Sequence, residues 1–359
     1  MRTRRIILRT RKIRRMETVS RKLSVITRLG WRVWLAVALL GPGAFASKKE
    51  TEAIALLDRA KQLSDIRAEG TPAFRLKINF RIIQDGSSQE GAYSEIWASK
   101  TQWRRETTLG DFRRIEVASG RKLWRLDSAT AVPEHITDIL GFFGLSTPTP
   151  EMPIFLKPAG IEDQQIRGLN TRCIEASPDS RGTYALCFDK NAGTLAAELQ
   201  PLRVGMRIAA RDCVFSDYQK FGDRLVASAY QCYEDGHLKF QARVAAITAE
   251  PAPDPGLFRA LDGAKESVNC LGPVNQGTLI DRVEPRSTLA GGIRNAIVVM
   301  RGVIGTDGNL HELKVVSSPN PEFDESALKA VQQWRYKPYT CDGEPVEVDT
   351  EVEVNFHRP

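Results

Sequence analysis

Six cysteines and four histidines are the residues of this chain best suited to chemistry. Cys173, Cys187, Cys213, Cys232, Cys270 and Cys341 form an even set with no C-x-x-C spacing. That pattern predicts disulfides and signals neither a redox dithiol nor a zinc knuckle. Cys173 and Cys187 flank one expected hairpin, and Cys213 and Cys232 a second. Cys270 and Cys341 both fall in the C-terminal part, so sequential pairing is the simplest expectation. His135, His237, His311 and His357 stand at no metal-binding spacing. His311 follows a turn and His357 continues the exposed row of a strand, so both are expected at the surface. There is no nucleophile elbow, no Walker A loop and no G-x-G-x-x-G after a strand. Thr306-Asp307-Gly308-Asn309 is acidic but too short for a calcium loop, and reads as a hairpin turn. The expectation is a protein with no catalytic residue, no cofactor and no metal, which acts by binding.

Disulfides belong to an oxidising compartment, and the N-terminal residues point the same way. The formal net charge is +7, but residues 1–46 hold twelve Arg or Lys and one acid, Glu17. Taking their +11 away leaves −4 for the rest. A mildly acidic folded part lacks the basic patch of a nucleic-acid binder. The leader runs from a basic stretch over 21–32 through a short apolar run over 33–40 to Gly41-Pro42-Gly43. Ala44-Phe45-Ala46 follows, an A-x-A cleavage signal before Ser47. The apolar run is shorter than the ~20 residues of a membrane span. Residues 1–46 therefore read as a secretory signal peptide, with an uncleaved inner-membrane signal anchor as the alternative.

The elements behind these residues are of two kinds. Ala53, Leu56, Leu57, Ala60 and Leu63 recur at helical spacing within 50–68, and Gly70-Thr71-Pro72 stops the helix. From Phe74 the period is two: Phe74, Leu76, Ile78, Phe80 and Ile82 alternate with Arg75, Lys77, Asn79 and Arg81. Further strands are expected over 93–98, 103–109, 112–118 and 122–126, then a short apolar helix over 134–145 and a loop with Pro148, Pro150, Pro153 and Pro158. Strands resume over 172–176, 183–189, 195–199, 211–221, 225–233 and 238–247, with turns at Asp223 and Asp235-Gly236. The class is α+β. Residues 47–249 form a helix-bearing antiparallel-sheet domain, 250–265 a stiff Pro-rich linker from which Phe258 can tuck back, and 266–359 a second domain.

Trp97-Ala98-Ser99-Lys100-Thr101-Gln102-Trp103-Arg104-Arg105-Glu106 is the phrase in which the first domain resembles the lipoprotein-carrier (LolA-like) folds. Phe188-Asp189, Gly193-Thr194-Leu195 and Asp217-Tyr218 add to it. The resemblance implies a curved, half-barrel-like sheet whose concave face can hold a lipid or other apolar ligand. On the residues alone, Trp97, Trp103 and Trp124 read as core.

Two strands over 297–304 and 310–317 flank the Thr306–Asn309 turn. Asn320-Pro321-Glu322 starts a helix whose Phe323, Ala327, Val331 and Trp334 share a face. With Ala327-Leu328, Trp334-Arg335-Tyr336, Pro338, Asp342-Gly343 and Pro345-Val346, residues 279–356 are similar to the TonB C-terminal domain family. The resemblance implies a small αβ sandwich that contacts a segment of an outer-membrane receptor by strand addition. The last strand is the candidate edge, and Val346, Val348, Thr350, Val352 and Val354 are its candidate partner-binding residues. The acids Glu347, Asp349, Glu351 and Glu353 on the other row discourage indiscriminate pairing. A folded domain stands where a transducer of this family has a Pro-rich spacer, and Val283-Glu284-Pro285-Arg286 stands where a Tyr-Pro segment is usual. The expectation is an exported, non-catalytic periplasmic or cell-envelope protein whose C-terminal domain binds a protein partner, linked to outer-membrane transport. The alternatives are a carrier or sensor of an apolar ligand and an anchored energy transducer.

Overall fold

The alternation that starts at Phe74 sets the architecture. A computed structural model describes residues 48–357 apart from 85, 130–131, 134–135, 137–158, 177–183, 205–206 and 286–294. The leader, His135, Arg286, most of the helix expected over 134–145 and the loop prolines at 148–158 lie outside the described residues. Helix α1 (Lys48–Ser64) comes first and buries Ala53 and Ala60. Then β1 (Phe74–Gln84), β2 (Ser87–Ser99), β3 (Gln102–Leu109), β4 (Phe112–Ser119) and β5 (Lys122–Asp127) run as a meander. A second run follows: β6 (Gly160–Ile166), β7 (Leu169–Ala176), β8 (Tyr184–Asp189), β9 (Leu195–Val204) and β10 (Arg207–Ser216). A small hairpin of β11 (Gln219–Phe221) and β12 (Arg224–Val226) precedes β13 (Ala229–Glu234) and β14 (His237–Ala249).

Strand β14 returns to pair with β1, so the two runs fuse into one antiparallel sheet. With β15 (Lys265–Val268), which pairs with β5, it has 13 strands in the order β15-β5-β4-β3-β2-β1-β14-β13-β10-β9-β8-β7-β6. The sheet is open, as the half-barrel reading expected. One face carries α1 and the main core, which includes Phe74, Leu76, Ile78, Phe80, Trp97, Phe188 and Phe240. Trp97 and Trp103 belong to this core, while Trp124 packs on the opposite face with Ile96, Ile115, Val117 and Phe258.

Phe258 closes a 3-10 turn, Pro255–Phe258, in the Pro-rich stretch. Asp254 caps that turn by accepting from the Gly256 N–H at 2.8 Å. The stretch after β14 therefore lies on the sheet and ends as one of its strands.

The remaining chain forms β16 (Val274–Asn275), β17 (Thr278–Asp281), β18 (Asn295–Ile304), β19 (Leu310–Ser317), helix α2 (Pro321–Val331), β20 (Arg335–Lys337), β21 (Tyr339–Cys341), β22 (Glu344–Val346) and β23 (Val348–His357). Three of these make a sheet in the order β19-β18-β23. Helix α2 starts as its sequence dictates: the Asn320 side chain accepts from the Glu322 N–H at 3.1 Å, and Pro321 takes the first turn. Three disulfides join Cys173 to Cys187, Cys213 to Cys232 and Cys270 to Cys341. The first two link directly opposed residues of neighbouring strands, which is what cysteines flanking a hairpin make available.

Candidate functional site

The last strand takes its place through side-chain parity. In β23 the buried residues Val352, Val354 and Phe356 alternate with Glu351, Glu353 and Asn355. Against β18 the register sets Met300 opposite Val352, Val298 opposite Val354 and Ala296 opposite Phe356. Helix α2 covers that row with Phe323, Ala327 and Val331, and the Phe323 and Phe356 rings lie 4.9 Å apart. Trp334 closes the end of the core, 3% exposed, with its Nε1–H donating to the Val283 carbonyl at 2.8 Å.

Among the described residues no strand pairs with the outer side of β23. Alternate residues of an antiparallel edge strand direct both N–H and C=O outward, so β23 offers a row of main-chain donors and acceptors. Of the candidate partner-binding residues, Val348, Thr350, Val352 and Val354 lie on this strand. Val346 ends β22 instead, opposite Tyr339 across a two-residue turn. Asp342 and Gly343 make that turn with φ values of 51° and 86°, the left-handed pair such a hairpin needs. Val346, Val352 and Val354 are buried, and Val348 and Thr350 are half-buried. An added strand would meet their backbone and the acidic row; the apolar side chains hold the domain together.

The acidic row is already engaged. Glu347 accepts from Lys265 Nζ at 2.8 Å, and Glu351 stands 3.4 Å from Arg301 Nε, its cross-strand partner on β18. At the far end of β18, Asp307 staples the turn into β19. Its Oδ1 accepts the Asn309 N–H at 2.9 Å, and His311 Nε2 lies 3.0 Å from it. The Asn309 N–H and the His311 ring hold that carboxyl down at about 2. Gly308 completes the turn at φ +77°, where a Cβ would lie 2.1 Å from the Tyr336 carbonyl. Its own carbonyl accepts the Tyr336 N–H at 2.8 Å, so the turn is sealed against the next strand pair. Among the described residues no three of His, Cys, Asp and Glu are grouped to hold a metal ion.

A second polar assembly sits inside the large sheet, where sequence reading picked out no site. Glu95 is 0% exposed, yet shares its face with Leu76, Trp97 and Trp103. Arg67, just after α1, and Arg105, opposite on β3, both donate to it, through Arg67 Nε at 3.1 Å and Arg105 Nε at 3.0 Å. Burial pushes this carboxyl up, but the charges and hydrogen bonds of Arg67 and Arg105 outweigh it and hold the group at about 2. Register extends the row across four strands as Glu95, Arg105, Glu116 and Arg125. Arg105 also stacks over Trp103 at 4.2 Å, and Arg114 grips Asp127 with two bonds of 2.7 and 2.8 Å. The signal in the sequence was Glu95 itself, a charge at inward parity between Tyr93 and Trp97.

Residues 294–357 match the family described as Gram-negative bacterial TonB protein C-terminal. No curated protein matches the chain. Among solved structures it is similar to a putative outer membrane lipoprotein-sorting protein domain from Vibrio parahaemolyticus, at 11% identity over 56% of this chain and 95% of that one, TM-score 0.36. It is similar to a LolA superfamily protein from Nitrosomonas europaea at 10% identity, over 58% and 97% of the two chains, TM-score 0.37. It is also similar to MucB at 13% identity, over 79% and 98%, TM-score 0.31.

Proposed function

We propose that this chain, with a TonB-type C-terminal domain over residues 294–357, is a periplasmic cell-envelope protein that docks a protein partner along the open edge of β23. The outer edge of that strand, unpaired among the described residues, carries the reading. Its apolar row is locked under α2, so the backbone row remains for a partner, and strand addition draws its affinity from such a row. The partner supplies an extended segment, and periplasmic segments of outer-membrane receptors are the class the family resemblance suggests. The work is binding and not catalysis. The inner face of the large sheet is filled by side chains and crossed by an ionic row, which favours a scaffold over a carrier of an apolar ligand. Among the described residues no helix is long and apolar enough to cross a membrane.

The test is titration of the exported chain with synthetic peptides copied from such receptor segments, followed by amide exchange. Binding should protect alternate amides within 348–357. Proline at Thr350 and at Glu351 separates the two sides of the strand. One replaces an N–H that points to β18 and unfolds the domain; the other leaves the fold and abolishes peptide binding. Protection elsewhere in the chain, or binding that survives both variants, would sink the reading.

A further inference from the structure

The chain leaves the large sheet at Asn269 and enters the C-terminal domain at Cys270. Asn269 is a fixed anchor, 5% exposed. Its N–H donates to the Arg121 carbonyl at 2.8 Å, and its side chain donates to the Gly120 carbonyl at 2.9 Å and the Lys100 carbonyl at 3.3 Å. The next residue is bonded to Cys341 on β21, 71 positions away. Cations of the large sheet meet acids of the C-terminal domain beside this bond. Arg121 lies 2.7 Å from Asp342 and 3.6 Å from Glu344, and Lys265 lies 2.8 Å from Glu347. The three disulfides differ in access. Cys173, Cys187, Cys213 and Cys232 are no more than 3% exposed; in the third bond Cys341 is buried too, but Cys270 is half-buried at the surface and offers its side to an attacking thiolate.

We infer that the Cys270–Cys341 disulfide and the ion pairs beside it form a thiol-releasable clamp, which fixes the C-terminal domain and the start of β23 on the β5–β15 edge. The reductant is a dithiol. One of its thiolates bonds to the Cys270 sulfur, and the Cys341 sulfur leaves and takes up a proton. Its second thiolate then closes the reductant's own disulfide and expels the Cys270 sulfur, which is protonated in turn. Two electrons and two protons pass to the protein. What remains is a set of surface ion pairs, individually weak and screened by salt. Release frees Glu347, which immediately precedes β23, from Lys265 and opens the start of that strand's edge. That consequence rests on the docking function proposed above; the clamp itself does not.

Dithiothreitol titration of the exported chain, with alkylation of new thiols and peptide mapping, tests the first step. Cys270–Cys341 should open about ten-fold sooner than the two buried bonds, because access governs exchange. In about 0.5 M salt, the selectively reduced chain should then exchange amides faster at Asn269, Val274, Asn275, Glu344 and Val346, with β1 to β14 unchanged. Equal reduction rates for all three bonds, or exchange that stays the same after selective reduction, would overturn the clamp. The C270S/C341S pair repeats the comparison without reductant; should it fail to fold, the selectively reduced native chain decides. Peptide affinity separates the two proposals. A clamp that opens in a chain that binds no peptide in either state rejects the docking function alone. Equal affinity before and after opening rejects the effect on the edge.

Discussion

At the scale of single residues, Glu95 is the group on which most depends. A carboxylate with no exposed surface is tolerable only because Arg67 and Arg105 both reach it, and those guanidinium groups need it equally. Glu95→Gln keeps the shape, removes the charge and leaves two arginines facing each other. The expected loss is about 3–5 kcal/mol at neutral pH, read from urea unfolding. Acid gives a second reading of the same pair. The folded carboxyl titrates at about 2, below its ordinary 4.5. Its contribution is therefore complete above pH ~4.5 and is lost as pH falls toward 2, since protonation then favours the unfolded chain. The gap between native and Glu95→Gln proteins should shrink across that window. A gap that is the same at pH 7 and near pH 2 would show that the ion pair does not supply the stability.

At the scale of elements, what could be read from the sequence was whatever depends on neighbours along the chain. The cap at Asn320, the Asp342-Gly343 turn, the alternation of the last strand and the pairing of cysteines across hairpins are all local, and all appear as expected. Three things were not legible. The Glu95 ion pair needs Arg67, 28 positions away, brought back by the turn after α1. β15 belongs to the large sheet only through β5, more than 130 residues earlier, whereas sequence reading put Lys265 at the end of a linker and residues 266–268 in the C-terminal domain. Val346 was grouped with the last strand because its parity fits, but the hairpin before it takes its pairing. Local legibility can be measured at the α2 cap. Asn320→Ala removes the acceptor for the Glu322 N–H and should cost about 1 kcal/mol. The loss should appear as faster amide exchange in the first turn of α2, while β1 to β14 stay unchanged. A silent substitution would mean that Pro321 and packing alone set the start of the helix.

At the scale of the whole molecule, the question is whether the C-terminal domain hangs from a spacer or is built onto the sheet. The stretch between them answers through its burial. Phe258 is 3% exposed, set against Ile96, Ile115 and Val117, and Leu257 and Leu261 pack beside it. Arg104 Nη1 donates to the Leu257 carbonyl at 3.4 Å, so the segment is held on the face of the sheet that α1 leaves bare. A flexible tether would gain nothing from an aromatic ring at this point. Phe258→Ala should therefore cost about 3–5 kcal/mol, as a large buried side chain does when it leaves a cavity. The damage should also be directional. Proteolysis should become fastest within 250–264, and amide exchange should rise in β15 and β5 before it rises in β6 to β10, because β15 loses the segment that delivers it to β5. Clamped by its disulfide at one end and by Phe258 at the other, the crossing from sheet to C-terminal domain is then a strut. A partner strand on β23 would pull on the large sheet directly, without first taking up slack in a spacer. If Phe258→Ala neither lowers stability nor opens 250–264 to protease, the segment is a tether, and that mechanical link is lost.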